Sequence, residues 1–211
     1  MKGGQKDMEE ILNSISHGIA SLASIIGFIA LIIFSKSDQE WILFSTIVYG
    51  LSLIILYTSS ALYHGVRNKK IKHILRILDH CSIFILIAGT YTPVVLISIG
   101  GSTGWWLFGM QWTLALMGFI FKFFHAGKKE SMSILIYIIM GWMVVFKWHY
   151  LINAISDTAF NLLLAGGIIY TMGIFFYLLD SKIKYFHFIW HLFVITGSIF
   201  HYIMIFQYVI T

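Results

Sequence analysis

The chain alternates between long apolar blocks and short polar ones. Seven apolar runs stand out, at roughly 15–34, 42–64, 77–98, 105–124, 131–148, 158–179 and 186–209. Each is near the ~20 residues that a helix needs to cross a hydrocarbon core of about 30 Å. The connections are short, so seven helices use nearly all of the 211 residues. The expected fold is all-α: one seven-helix transmembrane bundle over residues 1–211. Ahead of the first run, Met8, Ile11, Leu12 and Ile15 follow helical spacing beside Glu9 and Glu10. Residues 1–14 therefore predict either a short amphipathic helix on the membrane surface or the frayed start of the first span. The first run is too long for the apolar region of a cleaved signal peptide, and it opens on Asn13, Ser14, Ser16 and His17.

Composition agrees with a membrane protein. Hydrophobic residues make up 59% of the chain and charged ones 11%, against about 25% charged in soluble domains. One proline leaves no Pro-rich linker between domains. The lone Cys81 excludes an internal disulfide and reads as a small buried hydrophobe.

Charge then sets the orientation. With the N-terminus on one side, that side collects Lys2, Lys6, Arg67, Lys69, Lys70, Lys72, Arg76, Lys122, Lys128, Lys129, Lys182 and Lys184. The opposite side holds only Lys36 and Lys147 of the 14 basic residues. The positive-inside rule makes the N-terminus cytoplasmic and the C-terminus external. Trp41, Trp105, Trp106, Trp148 and Tyr150 gather near the external side, as an interfacial aromatic belt does. The net charge of +5 is thus a topology signal. Basic stretches interleaved with aromatics are absent, so nucleic acid is not an expected partner. Membrane lipids are, and the cell membrane is the expected location.

The polar residues inside the spans carry the candidate chemistry. Ser60 and His64 lie one turn apart at the end of the second run, in "SALYH". Asp79 and His80 open the third, and His187 and His191 open the seventh in "HFIWH". Odd and even spans run in opposite directions, so all three places lie at one depth in the inner leaflet. Ionisable groups at such depth are costly and mark function. His64, His187 and His191 supply three imidazoles, the ligand number of a catalytic zinc site that leaves a position for water. The i,i+4 spacing lets two of them share one ion. Asp79 is placed to act as base on the bound water and Ser60 to hold it. His80 is the rival ligand, but it points about 100° away from its neighbour Asp79.

The remaining histidines have simpler readings. His17 is either a supporting residue of the site or a helix-packing one. His201 lies ten residues past His191, about 15 Å along the helix, and reads as an interhelical hydrogen bond. His73, His125 and His149 fall in connections or at interfaces. "AGTYTP" (88–93) is a second polar island, in which Pro93 predicts a kink. Its Thr90, Tyr91 and Thr92 either line a cavity or satisfy the kink. Gly166, Gly167 and Gly173 read as close helix packing.

With these residues in place, the chain resembles the hemolysin III family, the bacterial branch of the progestin and adipoQ receptor superfamily. The likeness rests on Ser60-x-x-x-His64, Asp79 and His187-x-x-x-His191, with "SHG" (16–18), "LYH" (62–64), "LDH" (78–80) and "AGTYTP" beside them. It covers essentially the whole chain. The resemblance implies seven helices with the N-terminus inside, and Zn²⁺ held by His64, His187 and His191 near the cytoplasmic face. It places Asp79 and Ser60 around the zinc-bound water. Animal relatives are linked to ceramidase-like amide hydrolysis, and bacterial ones to cytolysis and membrane-lipid homeostasis. The long soluble N-terminal extension of the animal receptors is missing here, so no hormone-receptor role is expected.

Two functions compete at this point. One is a zinc hydrolase of lipid amides or esters. The other is a pore-forming hemolysin or membrane-state sensor in which zinc only staples helices. The spans lack the recurring polar stripe of a conducting path.

Overall fold

The computed structural model describes residues 3–36, 39–125 and 130–211, and their regular structure is helical throughout. The α-helices are α1 (Gly3–Phe34), α2 (Ile42–Gly65), α3 (Lys69–Pro93), α4 (Gly101–Phe124), α5 (Glu130–Gly141), α6 (Trp148–Ala154), α7 (Asp157–Leu179) and α8 (Phe186–Ile205). Among the described residues, 7 stretches are long and apolar enough to cross a membrane. The fifth is composite: α5, a tight 3-10 turn over Met143–Lys147, and α6.

Three boundaries differ from the hydropathy pattern, each for a local reason. The segment ahead of the first apolar run is not a separate surface helix, because α1 runs unbroken from Gly3. Its Met8, Ile11 and Ile15 point outward, whereas Asn13 and His17 are buried. The polar face of this helix therefore looks into the protein. Helix α3 begins eight residues before its apolar run because the Asn68 side chain caps it, accepting from the amides of Lys70 and Ile71 at 3.0 and 3.3 Å. At Pro93 the α-helical pattern gives way to a π-helical stretch over Val94–Ile99. Proline removes a backbone donor, and the wider turn absorbs the mismatch.

The helices close into a ring. α2 packs along both α1 and α3, α3 along α4, and α8 along α7 and α1. The main core lies along α2 and α8, with Tyr49, Leu53, Tyr57, Val194 and Met204 buried. At one end Trp41 meets Trp105 edge-on at 5.0 Å, and the Lys147 ammonium lies 5.4 Å over the Trp106 ring. The aromatic belt read from the sequence thus assembles at a single end of the bundle.

The polar island in α3 repairs the break in the fifth span. The Tyr91 hydroxyl donates to the Gly141 carbonyl at 2.7 Å and accepts from the Val144 amide at 3.1 Å. It satisfies two backbone groups that the interrupted helix leaves without partners, as a membrane interior requires. Thr90 and Thr92 bond back to the carbonyls of Leu86 and Ala88.

Glycine sets one critical approach. A Cβ on Gly104 would sit 2.1 Å from the Val95 carbonyl oxygen, so only glycine lets α4 close on the π-helical stretch. Gly104→Ala is expected to cost roughly 1–3 kcal/mol. Thermal unfolding of the detergent-purified variant should show a lower midpoint.

Candidate metal centre

Helix ends place the three histidines. The last turn of α2 carries His64, and the first two turns of α8 carry His187 and His191. Helix α8 starts from Tyr185, held in the left-handed region at φ 62°, a conformation costing about 1–3 kcal/mol for such a residue. The preceding turn is closed by Lys182 and Ile183 amides donating to the Leu179 carbonyl, at 2.9 and 3.0 Å. This turn brings Asp180 back against the first turn of α8.

The ring centres of His64, His187 and His191 lie 5.1, 5.0 and 4.9 Å apart, a nearly equilateral triangle. One ligand nitrogen from each falls within 4.8 Å of the others. Imidazoles around one tetrahedral zinc, with nitrogens at about 2.0 Å, have ring centres about 5 Å apart. The triangle fits that ion.

Hydrogen bonds sort the nitrogens. His187 Nδ1 lies 2.7 Å from Asp180 Oδ2, and His64 Nδ1 lies 3.3 Å from Glu10 Oε2. A carboxylate only accepts, so the proton sits on Nδ1 in both rings and the Nε2 lone pair is left for a ligand. His64 Nε2 and His191 Nδ1 are buried with no hydrogen-bond partner. Buried polar atoms without partners are rare and call for an explanation. Imidazole nitrogens gathered this closely form a set able to hold a metal ion. Carboxylates behind ligating histidines fix ring orientation and raise basicity.

Glu10 and Asp180 are therefore part of the candidate centre, although neither stands out in the sequence. Lys72 Nζ sits 2.5 Å from the same Glu10 oxygen and holds it from α3. Removing these supports should loosen the ion without removing a ligand. Glu10→Gln and Asp180→Asn are each expected to weaken metal affinity about 10–100-fold, read by competition with a chelator of known affinity.

His17 stacks face to face on His191, with ring centres 3.6 Å apart and planes 11° from parallel, and meets Tyr57 edge-on at 5.0 Å. It is a neighbour of the centre and buttresses a candidate ligand. His80, the rival ligand, belongs to another cluster. Its Nδ1 is 3.5 Å from Glu130 Oε2, an oxygen also held by the fully buried Lys122 and approached by the Tyr177 hydroxyl at 3.4 Å. This ion-paired knot ties α3, α4, α5 and α7. His201 donates from Nε2 to the Leu163 carbonyl at 3.0 Å, joining α8 to α7. His125 bonds within its own helix, and His149 bonds to Asn153.

Two spaces meet at the histidines. An apolar chamber of about 140 Å³ runs inward between α3, α5, α7 and α8. His17, Ser60, Asp79, His187 and His191 all line it. Ser60 is buried and Asp79 half-buried. On the other side lies a polar vestibule of about 480 Å³, bordered by Glu10, His64, Arg76, Glu130, Asp180 and His187. The centre thus faces an apolar space on one side and a charged one on the other.

Comparison with known proteins agrees. Residues 6–202 match the family described as Haemolysin-III related. The chain is 43% identical to "Hemolysin-3" of Bacillus cereus over 203 residues, covering 96% of this chain and 92% of that one. It is 42% identical to "Hemolysin-3 homolog" of Bacillus subtilis (strain 168), covering 90% and 89%. At 28% identity over 206 residues it resembles the human "Monocyte to macrophage differentiation factor", covering 95% and 84%. No solved structure matches the chain. With seven apolar helices and relatives aligned over nearly their full length, the chain belongs to the hemolysin III family, the bacterial branch of the progestin and adipoQ receptor superfamily, as a multi-pass protein of the bacterial cell membrane.

Proposed function

We propose that His64, His187 and His191 hold a zinc ion, near the cytoplasmic face, and that the protein hydrolyses a lipid amide or ester. One observation carries the reading: three imidazoles with convergent free nitrogens stand at the end of an apolar chamber whose wall also contains a carboxylate and a hydroxyl. Zinc bound there would supply a Lewis acid for the carbonyl and a water acidic enough to act near neutral pH.

The other parts of the work belong to the chain. Glu10 and Asp180 keep the His64 and His187 rings turned inward through Nδ1. The half-buried Asp79 takes the proton released by attacking water and returns it to the leaving group. The Ser60 hydroxyl, one turn before His64, orients that water. The chamber receives an acyl chain, and each buried methylene adds about 0.8 kcal/mol of binding. The vestibule accommodates the polar remainder of the lipid and connects the centre to water.

Purified zinc-loaded protein should release fatty acid from long-chain amides or esters presented in mixed micelles. Full zinc occupancy with every such substrate left intact would refute the hydrolase reading.

A second reading has one observation in its favour, the name of the Bacillus cereus relative. In it the protein lyses or senses membranes, and zinc only ties α2 to α8. Lysis that persists unchanged after a chelator removes the zinc would separate lysis from the metal centre.

A further inference from the structure

The chamber is lined, deep along its length, by a histidine that hydrolysis does not use. His201 lies ten residues beyond His191 on α8, about 15 Å further along the axis. It is 9% exposed and lines both the main chamber and a smaller one of about 70 Å³. The two chambers also share Thr90, Tyr91, Gly141, Trp142 and Gly167, so they abut.

The imidazole is seated with care. Its Nε2 is 3.0 Å from the Leu163 carbonyl oxygen. A carbonyl only accepts, so the proton is on Nε2 and Nδ1 carries a bare lone pair. A Cβ on Gly166 would meet the ring at 2.3–2.4 Å, so glycine there makes the seat. Nδ1 is buried, and no described protein group donates to it. The Tyr57 hydroxyl donates to Ser198 Oγ at 2.6 Å, and the Tyr170 hydroxyl shares a hydrogen bond with the same Oγ at 2.7 Å. A buried acceptor with a fixed tautomer calls for an O–H donor.

We propose that His201 reads a hydroxyl group on the acyl chain, so that the chamber favours hydroxylated over plain chains. The proposal rests on the reading of the chamber as an acyl site. An extended chain advances about 1.2 Å per bond, judged from the reach of the polypeptide backbone, so 15 Å corresponds to about 12 bonds. The favoured hydroxyl is therefore near the middle of an eighteen-carbon chain, around carbon 12.

The test measures binding of free fatty acids to the zinc-loaded, detergent-purified protein by displacement of a fluorescent fatty acid. The probes are stearic acid and its 2-, 12- and 17-hydroxy derivatives. The 12-hydroxy acid should bind about tenfold more tightly than stearic acid, the scale of one buried hydrogen bond gained where an acceptor was otherwise unpaired. The 2- and 17-hydroxy isomers should show no such gain. His201→Phe, which keeps a ring of similar bulk, should remove the preference while stearic acid still binds. The position scan uses wild-type protein alone and so stands even if His201→Phe fails to fold. Equal affinity for all four acids, as when only water meets Nδ1, overturns the proposal and leaves the hydrolase reading intact. No binding of any acid overturns both.

Discussion

Zinc should disappear when His187 and His191 are both replaced by alanine. Metal content by mass spectrometry is expected to fall from about one zinc per chain to near zero, because three protein ligands are the usual minimum for such a site. The loss should be larger than for any single change behind the ligands, since Glu10 and Asp180 act only through the rings they hold. Stability should fall with it. Zinc that binds the folded protein stabilises it by mass action, and an ion held by the three histidines would tie α2 to α8. Removing His191 also takes away the ring on which His17 stacks at 3.6 Å. The thermal midpoint of chelator-treated wild type should therefore approach, but stay above, that of the double variant. Alanine at His73 or His149, both exposed and outside the cluster of three, should leave zinc content unchanged.

Asp79→Ala is the second large effect, and it should split chemistry from metal binding. Asp79 lines the chamber beside His187 and His191, and it is not one of the three convergent ligands. The variant is expected to keep its zinc while turnover of a lipid amide falls about 10²–10⁴-fold, the range for losing a positioned general base. Substrate affinity should change little, because the rest of the chamber wall is intact. Loss of zinc in Asp79→Ala would instead make this carboxylate a ligand or a structural support.

Much of this was legible in the sequence for a physical reason. A membrane core accepts only long apolar helices, so seven spans can be counted from hydropathy. The same cost makes any intramembrane histidine conspicuous, and three of them at matched depth pointed to the cluster. The supporting groups were hidden. Glu10 looked like an ordinary charge before the first span, because nothing local shows that α1 turns its polar face inward. Asp180 sits in a polar connection where a carboxylate is unremarkable. Only the turn ending at Tyr185 folds it onto His187. Lys122 read as a topology signal at a cytoplasmic edge, and nothing marked Glu130 as its partner. Their pairing beneath Arg76 and His80 depends on through-space packing of four helices.

Backbone detail was hidden in the same way. Hydropathy cannot show that the fifth span breaks at Gly141, because its residues stay apolar across the break. The compensating group, Tyr91, lies fifty residues earlier in the chain. The polar island in α3 was visible, and its purpose became clear only with its partner beside it. The start of α3 at Lys69 was hidden, because the basic run there read as a connection.

X-ray absorption at the zinc edge, on detergent-purified wild type, tests the central claim most directly. The account predicts about one zinc per chain in a shell of nitrogen and oxygen neighbours at about 2.0–2.1 Å, with the outer-ring scattering of three imidazoles and no sulfur. A centre without imidazole signature, or protein that holds no zinc when purified free of chelators, would contradict it.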